Sequence, residues 1–381
     1  MKKLLITSTD VMMYQFLLPH ALYLSMQGYQ VDVACSFAEG YKNEGYHEYI
    51  SEHLPDNSSF YSVNLERSPF AATNLKGFKQ LSQIINSNNY DLIWTNEPVM
   101  GVLTRLAAYK ARKKSGTKLM YLAHGYHFYE GAPKKNWIAY PIEKVMSYFC
   151  DGMCMINWED YHFTQKHFPY KPVFHIDGIG LDTQKFQNVQ VDKSQKRKDL
   201  GFTDDDILLL SVGELQTRKN HEPVIRALAQ INNPNVKYII CGRGELENHF
   251  KQLAKELNIE DKLFLLGHRY DIGEILKSVD IFIHPSQREG LGIAVIEAMS
   301  AGLPLITSNV QGMKDYVINE KTGYVVPTFD IAEYKNAIEK LIFSPDFREE
   351  IGKNNVDFAS KYDFENSKVQ ILNILNEMEN F

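Results

Sequence analysis

Short apolar runs alternate with helix-length amphipathic segments from one end of this 381-residue chain to the other. Few patterns constrain a fold more tightly. Runs this short and this apolar are strands covered on both faces, and parallel strands need a long crossover between them, usually a helix. The spacing predicts strands over Lys3–Thr7, Gln30–Cys35, Phe60–Asn64, Asp91–Thr95, Lys118–Ala123, Gly152–Ile156 and Val173–Ile176. Helices are expected between them, among them Tyr14–Gln27, Leu75–Asn86, Met100–Lys113 and Asn136–Phe149, with Gly28 at a helix C-cap. The rhythm pauses in a polar stretch from about Asp182 to Asp206, which reads as a linker containing a short helix. It restarts with Ile207–Val212, Lys237–Cys241, Leu263–Leu266, Ile281–His284 and Leu305–Thr307. Residues Glu365–Phe381 read as a closing helix. The α/β pattern therefore predicts two Rossmann-like, doubly wound domains facing each other across a cleft. Their bounds are 1–190 and 191–364, followed by a C-terminal helix, 365–381, that crosses back to the first domain.

Charge and cysteine usage narrow the class. Residues 1–185 carry 18 Lys/Arg against 17 Asp/Glu, and the remainder 23 against 30, so the first half is near neutral and the second acidic. A net charge of −6 argues against nucleic acid as a partner. Cys150 and Cys154 have no second ligand pair beside them, so a zinc site is not expected. The start, Met1-Lys2-Lys3 leading into a short strand, does not read as a secretory leader, and no apolar run is long enough to span a bilayer. The expected location is cytoplasmic, with peripheral contact at the inner face of the cell membrane left open.

The most informative stretch runs from Asp280 to Pro304. A strand ends near His284, a polar turn holds Arg288-Glu289-Gly290-Leu291-Gly292, and a helix starts around Gly292. In open α/β sheets, ligands bind outside the carboxyl ends of strands, where this turn lies. Gly290 and Gly292 allow close approach of backbone to ligand, and the helix start offers free N–H groups and the positive end of a dipole. Glu289 and Glu297, eight residues apart, can face one cleft and accept hydrogen bonds from hydroxyls. Taken alone, the same residues also suit an ordinary Gly-rich turn with two solvated glutamates. A second turn, Gly213-Glu214-Leu215-Gln216-Thr217-Arg218-Lys219, follows another strand and puts cations at a helix start.

The ensemble Glu289-x7-Glu297, Ala298-Met299-Ser300-Ala301-Gly302-Leu303-Pro304, Gly312 and Gly323-Tyr324-Val325-Val326 resembles the donor-binding half of the family 4 retaining glycosyltransferases, of GT-B fold. The sequence closely resembles enzymes of bacterial capsular and exopolysaccharide biosynthesis. That resemblance implies that Glu289 contacts the donor sugar and Glu297 the ribose of a nucleotide sugar, expected to be a UDP-sugar. The backbone of Gly290, Leu291, Gly292 and Ile293 would then lie near the distal phosphate and the sugar. It also implies that Lys219 binds phosphate, beside the strand-end Gly213. The family usually has Arg directly after that glycine; this chain has Glu214, and Arg218 is the candidate to supply the missing cation. Arg243 lies in a turn resembling the one beside the nucleotide, and Arg269 and Tyr270 in the turn resembling the one that cradles the base. In the first half, His124-Gly125 at a strand end matches the family's histidine near the donor sugar, whereas His127 is read as structural.

The resemblance further implies that a hexosyl or N-acetylhexosaminyl unit is moved, with retention, to a glycan acceptor, expected to be lipid-diphosphate-linked. No metal or other resident cofactor is expected, because fixed cations can stabilise the departing diphosphate. An aromatic-rich stretch, Tyr126–Phe149, and the basic group Lys110, Arg112, Lys113, Lys114 and Lys118 suggest a membrane-facing surface; favourable placement at a helix C-terminus is the plainer account of the basic group. Two other functions fit the same architecture: a sugar-nucleotide epimerase, which needs no acceptor, and a non-catalytic nucleotide-sugar-binding assembly subunit, which Glu214 would favour.

Overall fold

The computed structural model of the protein describes residues 1–36, 45–129, 131–168 and 172–380. Phe381, the last residue of the expected closing helix, lies outside them. The chain divides into two compact units, Met1–Gly180 with Phe364–Phe381, and Leu181–Asp363.

The first unit is built on seven strands: β1 (Lys2–Thr9), β2 (Tyr29–Ser36), β3 (Phe60–Val63), β4 (Leu92–Asn96), β5 (Lys118–Ala123), β6 (Gly152–Met155) and β7 (Val173–His175). They form one parallel sheet in the order β3-β2-β1-β4-β5-β6-β7. Six of the eight residues of β1 and all of β4 are buried, as strands covered on both faces must be. Strand order reverses between β1 and β4, so the carboxyl ends of these two strands, Thr9 and Asn96, flank a switch point.

The second unit repeats the plan with six strands: β8 (Ile207–Val212), β9 (Val236–Cys241), β10 (Leu263–Gly267), β11 (Ile281–His284), β12 (Leu305–Ser308) and β13 (Gly323–Val326). All are parallel, in the order β10-β9-β8-β11-β12-β13, with the reversal between β8 and β11. Its core gathers Leu209, Ile240, Ile283 and Ile306 from the sheet with Val224, Phe250, Tyr334 and Leu341 from helices.

The expected strands are present, with ends shifted by one or two residues. The helices depart more. The expected Tyr14–Gln27 helix is interrupted by a π-helical turn, Met13–Leu17, before Leu18–Met26. Pro19 has no amide to give to the α-helical ladder, so the regular bonding breaks just before it. The expected Met100–Lys113 helix is two, Pro98–Ala107 and Tyr109–Ser115, and Asn136–Phe149 begins and ends in 3-10 turns.

Around the linker, residues 181–190 pack with the second unit rather than the first. Thr183 donates through its amide (3.1 Å) and hydroxyl (2.6 Å) to Asp363, and Leu181 N–H donates to the Tyr362 carbonyl. The helix Phe364–Met378 belongs to the first unit: Gln370 exchanges hydrogen bonds with Asp177, and the Tyr29 hydroxyl donates to Glu379.

Candidate active site

In the second unit the polypeptide leaves β8 and β9 through turns that touch. Gly213 N–H donates to Cys241 O, Gly242 N–H to Gly267 O, and Leu215 N–H to Arg243 O. A β-carbon at Gly242 would overlap the Gly213 carbonyl, and one at Gly244 would overlap that of Leu215. Glycine is needed here for close approach between turns. Gly213 itself has the Lys219 side chain lying across it, with Cε 3.2 Å from where a β-carbon would stand.

The turn after β8 is tied to the turn after β11. Asn220, at φ 56°, donates to the Pro285 and Thr328 carbonyls, and Gln287 N–H donates to Arg218 O. The ties bring four donors onto Oε1 of Glu289: Lys219 Nζ at 2.5 Å, Ser286 Oγ at 3.0 Å, His284 Nε2 at 3.1 Å and an Arg218 guanidinium nitrogen at 3.2 Å. Burial alone would raise the Glu289 pKa. The hydrogen bond from His284 and the charges of Lys219 and Arg218 outweigh it and hold the carboxyl well below its usual range. Glu289 is therefore an anion at neutral pH. His284 is lowered by its own burial and by Lys219, so it stays neutral and donates Nε2–H. Arg218 also lies 3.8 Å from Glu214, so its guanidinium spans the two carboxylates.

Gly292, at φ 79°, precedes the helix Ile293–Ser300, which has no side-chain N-cap. Val295 N–H donates to the Gly292 carbonyl, and the Ile293 and Ala294 amides before it have no acceptor inside the helix. The Gly290 loop is held down by Gly312, where any β-carbon would overlap the Gly290 carbonyl, and by Tyr316, whose hydroxyl donates to Leu291 O. One turn into the helix stands Glu297, half-buried. Among the described residues, none donates a hydrogen bond to its carboxylate, and burial raises its pKa to about 7 against a small opposing pull from Lys185.

The remaining expected residues scatter more. Arg243 is exposed, with its Nε 3.8 Å from the β-carbon position of Gly267. Arg269 is held in a two-pronged pair with Asp271, at 2.8 and 2.5 Å, and Tyr270 is 96% exposed.

In the first unit, His124 follows β5 and its Nε2 lies 3.2 Å from Asn96 Oδ1 at the end of β4. Burial lowers its pKa to about 4, so the ring is neutral. His127 is exposed and lines a cavity. Next to Asn96 stands Glu97, at φ 64° and ψ 153°, a backbone region left almost entirely to glycine and costing about 1–3 kcal/mol. Its carboxylate accepts from Thr9 N (2.6 Å), Thr9 Oγ1 (2.9 Å) and Ser8 Oγ (3.2 Å), which holds the strained residue against the end of β1. Sequence reasoning missed Glu97, and it missed His284 and Ser286 as the supports of Glu289. Only the proline after Glu97 hinted at a restrained backbone. Among the described residues no group of three His, Cys, Asp or Glu side chains could hold a metal ion.

A parallel sheet with a switch point between its first and fourth strands, repeated twice, defines a two-domain, doubly wound α/β class, and comparison with known proteins gives the family. Residues 192–357 match the model of the glycosyl transferases group 1, and residues 4–157 that of the glycosyl transferase 4-like domain. The chain is 33% identical over 95% of its length, and 93% of the relative's, to EpsD of Bacillus subtilis, named as a glycosyltransferase. It is 30% identical, over 77% of each chain, to the UDP-Gal:alpha-D-GlcNAc-diphosphoundecaprenol alpha-1,3-galactosyltransferase of Escherichia coli. Among solved structures, Anabaena HepE in complex with UDP and glucose aligns at a TM-score of 0.78 with 20% identity, covering 99% of this chain and 100% of that one. The chain belongs to the glycosyltransferases of this family, with the GT-B fold, and is a hexosyltransferase.

Proposed function

We propose that the protein moves a hexosyl or N-acetylhexosaminyl unit from a UDP-sugar, with retention, to a lipid-diphosphate-linked glycan in surface polysaccharide synthesis. The observation that carries this is the second unit's switch point. There Glu289 and Lys219 are fixed against each other, and eight residues on a half-buried carboxylate, Glu297, has no hydrogen-bond donor among the described residues. A ribose diol supplies two such donors. Lys219 and Arg218 face the diphosphate and stabilise the charge that develops as it departs, so the reading needs no resident metal. Glu289, kept ionised, binds sugar hydroxyls, and the first-turn amides at Gly292 and Ile293 meet phosphate oxygens. Arg218 takes the place left by Glu214, which it already neutralises. Arg243, Arg269 and Tyr270 are assigned to the nucleotide's outer edge. In the first unit, neutral His124 is the residue we assign to transfer.

The relative named for UDP-Gal and a diphosphoundecaprenol acceptor, and the neighbour solved with UDP and glucose, support the donor and acceptor classes. Peripheral membrane contact belongs to the same reading. No helix among the described residues is long and apolar enough to cross a membrane. Ile138, Ile142, Val145 and Tyr148 are nevertheless more than half exposed, beside exposed Lys134, Lys135 and Lys144. Each basic residue near an anionic leaflet contributes about 1 kcal/mol.

The test is calorimetric titration with UDP, followed by assay of UDP release from UDP-sugars with and without α-D-GlcNAc-diphosphoundecaprenol. Binding lost in Lys219→Ala and Glu297→Ala, with release that depends on acceptor, is the expected result. UDP affinity unchanged in both variants overturns the donor site, and sugar conversion without acceptor points to an epimerase instead.

A further inference from the structure

Ser211 in β8 and Tyr238 in β9 place two hydroxyls in the buried interior of the second unit, where Leu209, Ile240 and Phe250 form an apolar core. Burying such groups is unfavourable unless each is hydrogen-bonded. Here they join a third buried side chain, His221. The Ser211 hydroxyl donates to the Ile283 carbonyl at 2.5 Å, Tyr238 Oη lies 2.7 Å from Ser211 Oγ, and His221 Nδ1 lies 3.2 Å from Tyr238 Oη.

Proton counting gives this chain a direction. A carbonyl only accepts, so the single Ser211 hydroxyl proton is spent on Ile283. The Tyr238 proton then fills the short contact to Ser211, and the tyrosine oxygen accepts from His221 Nδ1–H. Burial, with His284 and Lys219 beside it, lowers the His221 pKa to about 3 against a raising pull from the Glu214 carbonyl, so the ring is neutral. Phe250 meets that ring edge-on, with centroids 6.0 Å apart.

The two ends of the chain show what it joins. His221 stands two residues after Lys219, just before the helix Glu222–Leu228. Ile283 immediately precedes His284, which donates to Glu289. Strands β8 and β11 are paired at Leu209–Ile281 and Leu210–Phe282, and the Ser211 hydroxyl takes the next carbonyl along β11. The chain therefore links, through the interior, the backbone that carries Lys219 to the backbone that carries Glu289. In the free protein the direct 2.5 Å contact between these two side chains also sets their spacing. A diphosphate that draws Lys219 away from Glu289 removes that contact, and the spacing then depends on the bonds of Asn220 and Gln287 and on the buried chain.

We propose that His221, Tyr238 and Ser211 are positioning residues for the nucleotide diphosphate: their one-way hydrogen-bond chain holds the Lys219 turn at its working distance from Glu289. The inference rests on the nucleotide-sugar reading above and adds to it three buried residues that act through Lys219 and Glu289.

The test is calorimetric titration of the full chain with UDP and with uridine, which lacks the phosphates. Tyr238→Phe removes the middle oxygen of the chain and leaves the His221 N–H without its acceptor. It should weaken UDP by about five- to twentyfold and leave uridine within about twofold of the unmodified protein. The direction is tested at the other end. His221→Asn keeps an N–H donor near the position of Nδ1 and should bind UDP within about threefold of the unmodified protein, whereas His221→Leu should lose as much as Tyr238→Phe. If Tyr238→Phe does not fold, the two His221 variants carry the same comparison of UDP with uridine. UDP and uridine weakened alike, as a general loosening of the unit would give, overturns the proposal. So does unchanged UDP affinity in a folded Tyr238→Phe protein, or His221→Asn binding as weakly as His221→Leu. An unmodified protein that binds no UDP strikes the nucleotide-sugar reading itself, and this inference falls with it.

Discussion

The two switch points share a strand order and differ in nearly everything else. In the second unit, the turns after β8 and β11 are short and cross-bonded, and they press four donors onto one carboxylate oxygen. In the first, the end of β1 holds the strained Glu97 after β4 by three hydrogen bonds, beside a cavity whose lining is mostly apolar. Topology alone therefore fixes where a ligand sits and leaves open what that ligand is. The turn chemistry decides it, with charge and glycine on one side and helix side chains on the other. A carboxylate surrounded by cations is ready for a polar ligand that will exchange partners with them. The Glu97 carboxylate takes its hydrogen bonds from hydroxyl and amide donors, with Arg67 the nearby cation.

The sharpest way to break this contrast is to remove the crowded carboxylate. Glu289→Ala leaves Lys219, His284 and Ser286 without their shared acceptor, and the sugar without its hydrogen-bond partner. Transfer should fall by about 10²–10³-fold, or roughly 3–4 kcal/mol of transition-state stabilisation. The measurement is kcat/KM for UDP release with saturating acceptor. A loss smaller than that of Glu97→Gln in the first unit would mean that the two sites had been ranked the wrong way round.

Next in size is the backbone. The second unit's turns depend on glycine at contact points, and the first unit's strand ends at Thr9 and Asn96 do not. Gly242→Ala puts a methyl into the Gly213 carbonyl, backbone against backbone with no flexible atom to yield, and overpacking of this kind costs about 1–3 kcal/mol or more. Thr9→Ala, which strips one hydroxyl donor from Glu97, should cost about 1 kcal/mol. Denaturant melts of both variants, with UDP affinity measured beside them, separate the cases: the glycine variant should lose stability and UDP together, and the threonine variant should retain UDP.

How much of this the sequence disclosed follows the same divide. The strands were legible because buried parallel strands must be short apolar runs, and the pair Glu289 and Glu297 was legible because the turn and helix that carry it are contiguous. His284 and Ser286 lie inside the same Asp280–Pro304 stretch, but nothing in spacing says that a strand-end histidine turns its ring back onto a glutamate five residues on. Glu97 and its cavity were out of reach. A positive φ on a glutamate is imposed by hydrogen bonds from residues 88 and 89 positions away, and the walls come from helices brought together only by the tertiary fold. The break at Ala108 falls in the same class, since amphipathic spacing continues through it, whereas Pro19 marked the place of the π-turn at Met13–Leu17.

The smallest effect tests the contrast by pH. Glu297 lacks the cations that keep Glu289 ionised, and burial raises its pKa to about 7. In the free protein it is protonated below that value and charged above it. Because the folded-state pKa lies above the unfolded value near 4.5, its contribution runs against folding as pH rises from about 4.5 to 7, and is absent below that window. Binding has the opposite sign. A ribose diol needs an acceptor for its two protons, and only the carboxylate offers acceptors without a competing O–H. UDP affinity should therefore rise by about three- to tenfold between pH 6 and pH 8. Glu297→Gln, which is neutral throughout, should bind weakly and show no such rise, whereas Glu289→Gln should retain the slope because the Glu289 carboxyl does not titrate in this range. Calorimetry at three pH values in buffers of different ionisation enthalpy would also count the proton released on binding. A flat profile in the unmodified protein, or a slope that survives Glu297→Gln, would place the ribose elsewhere.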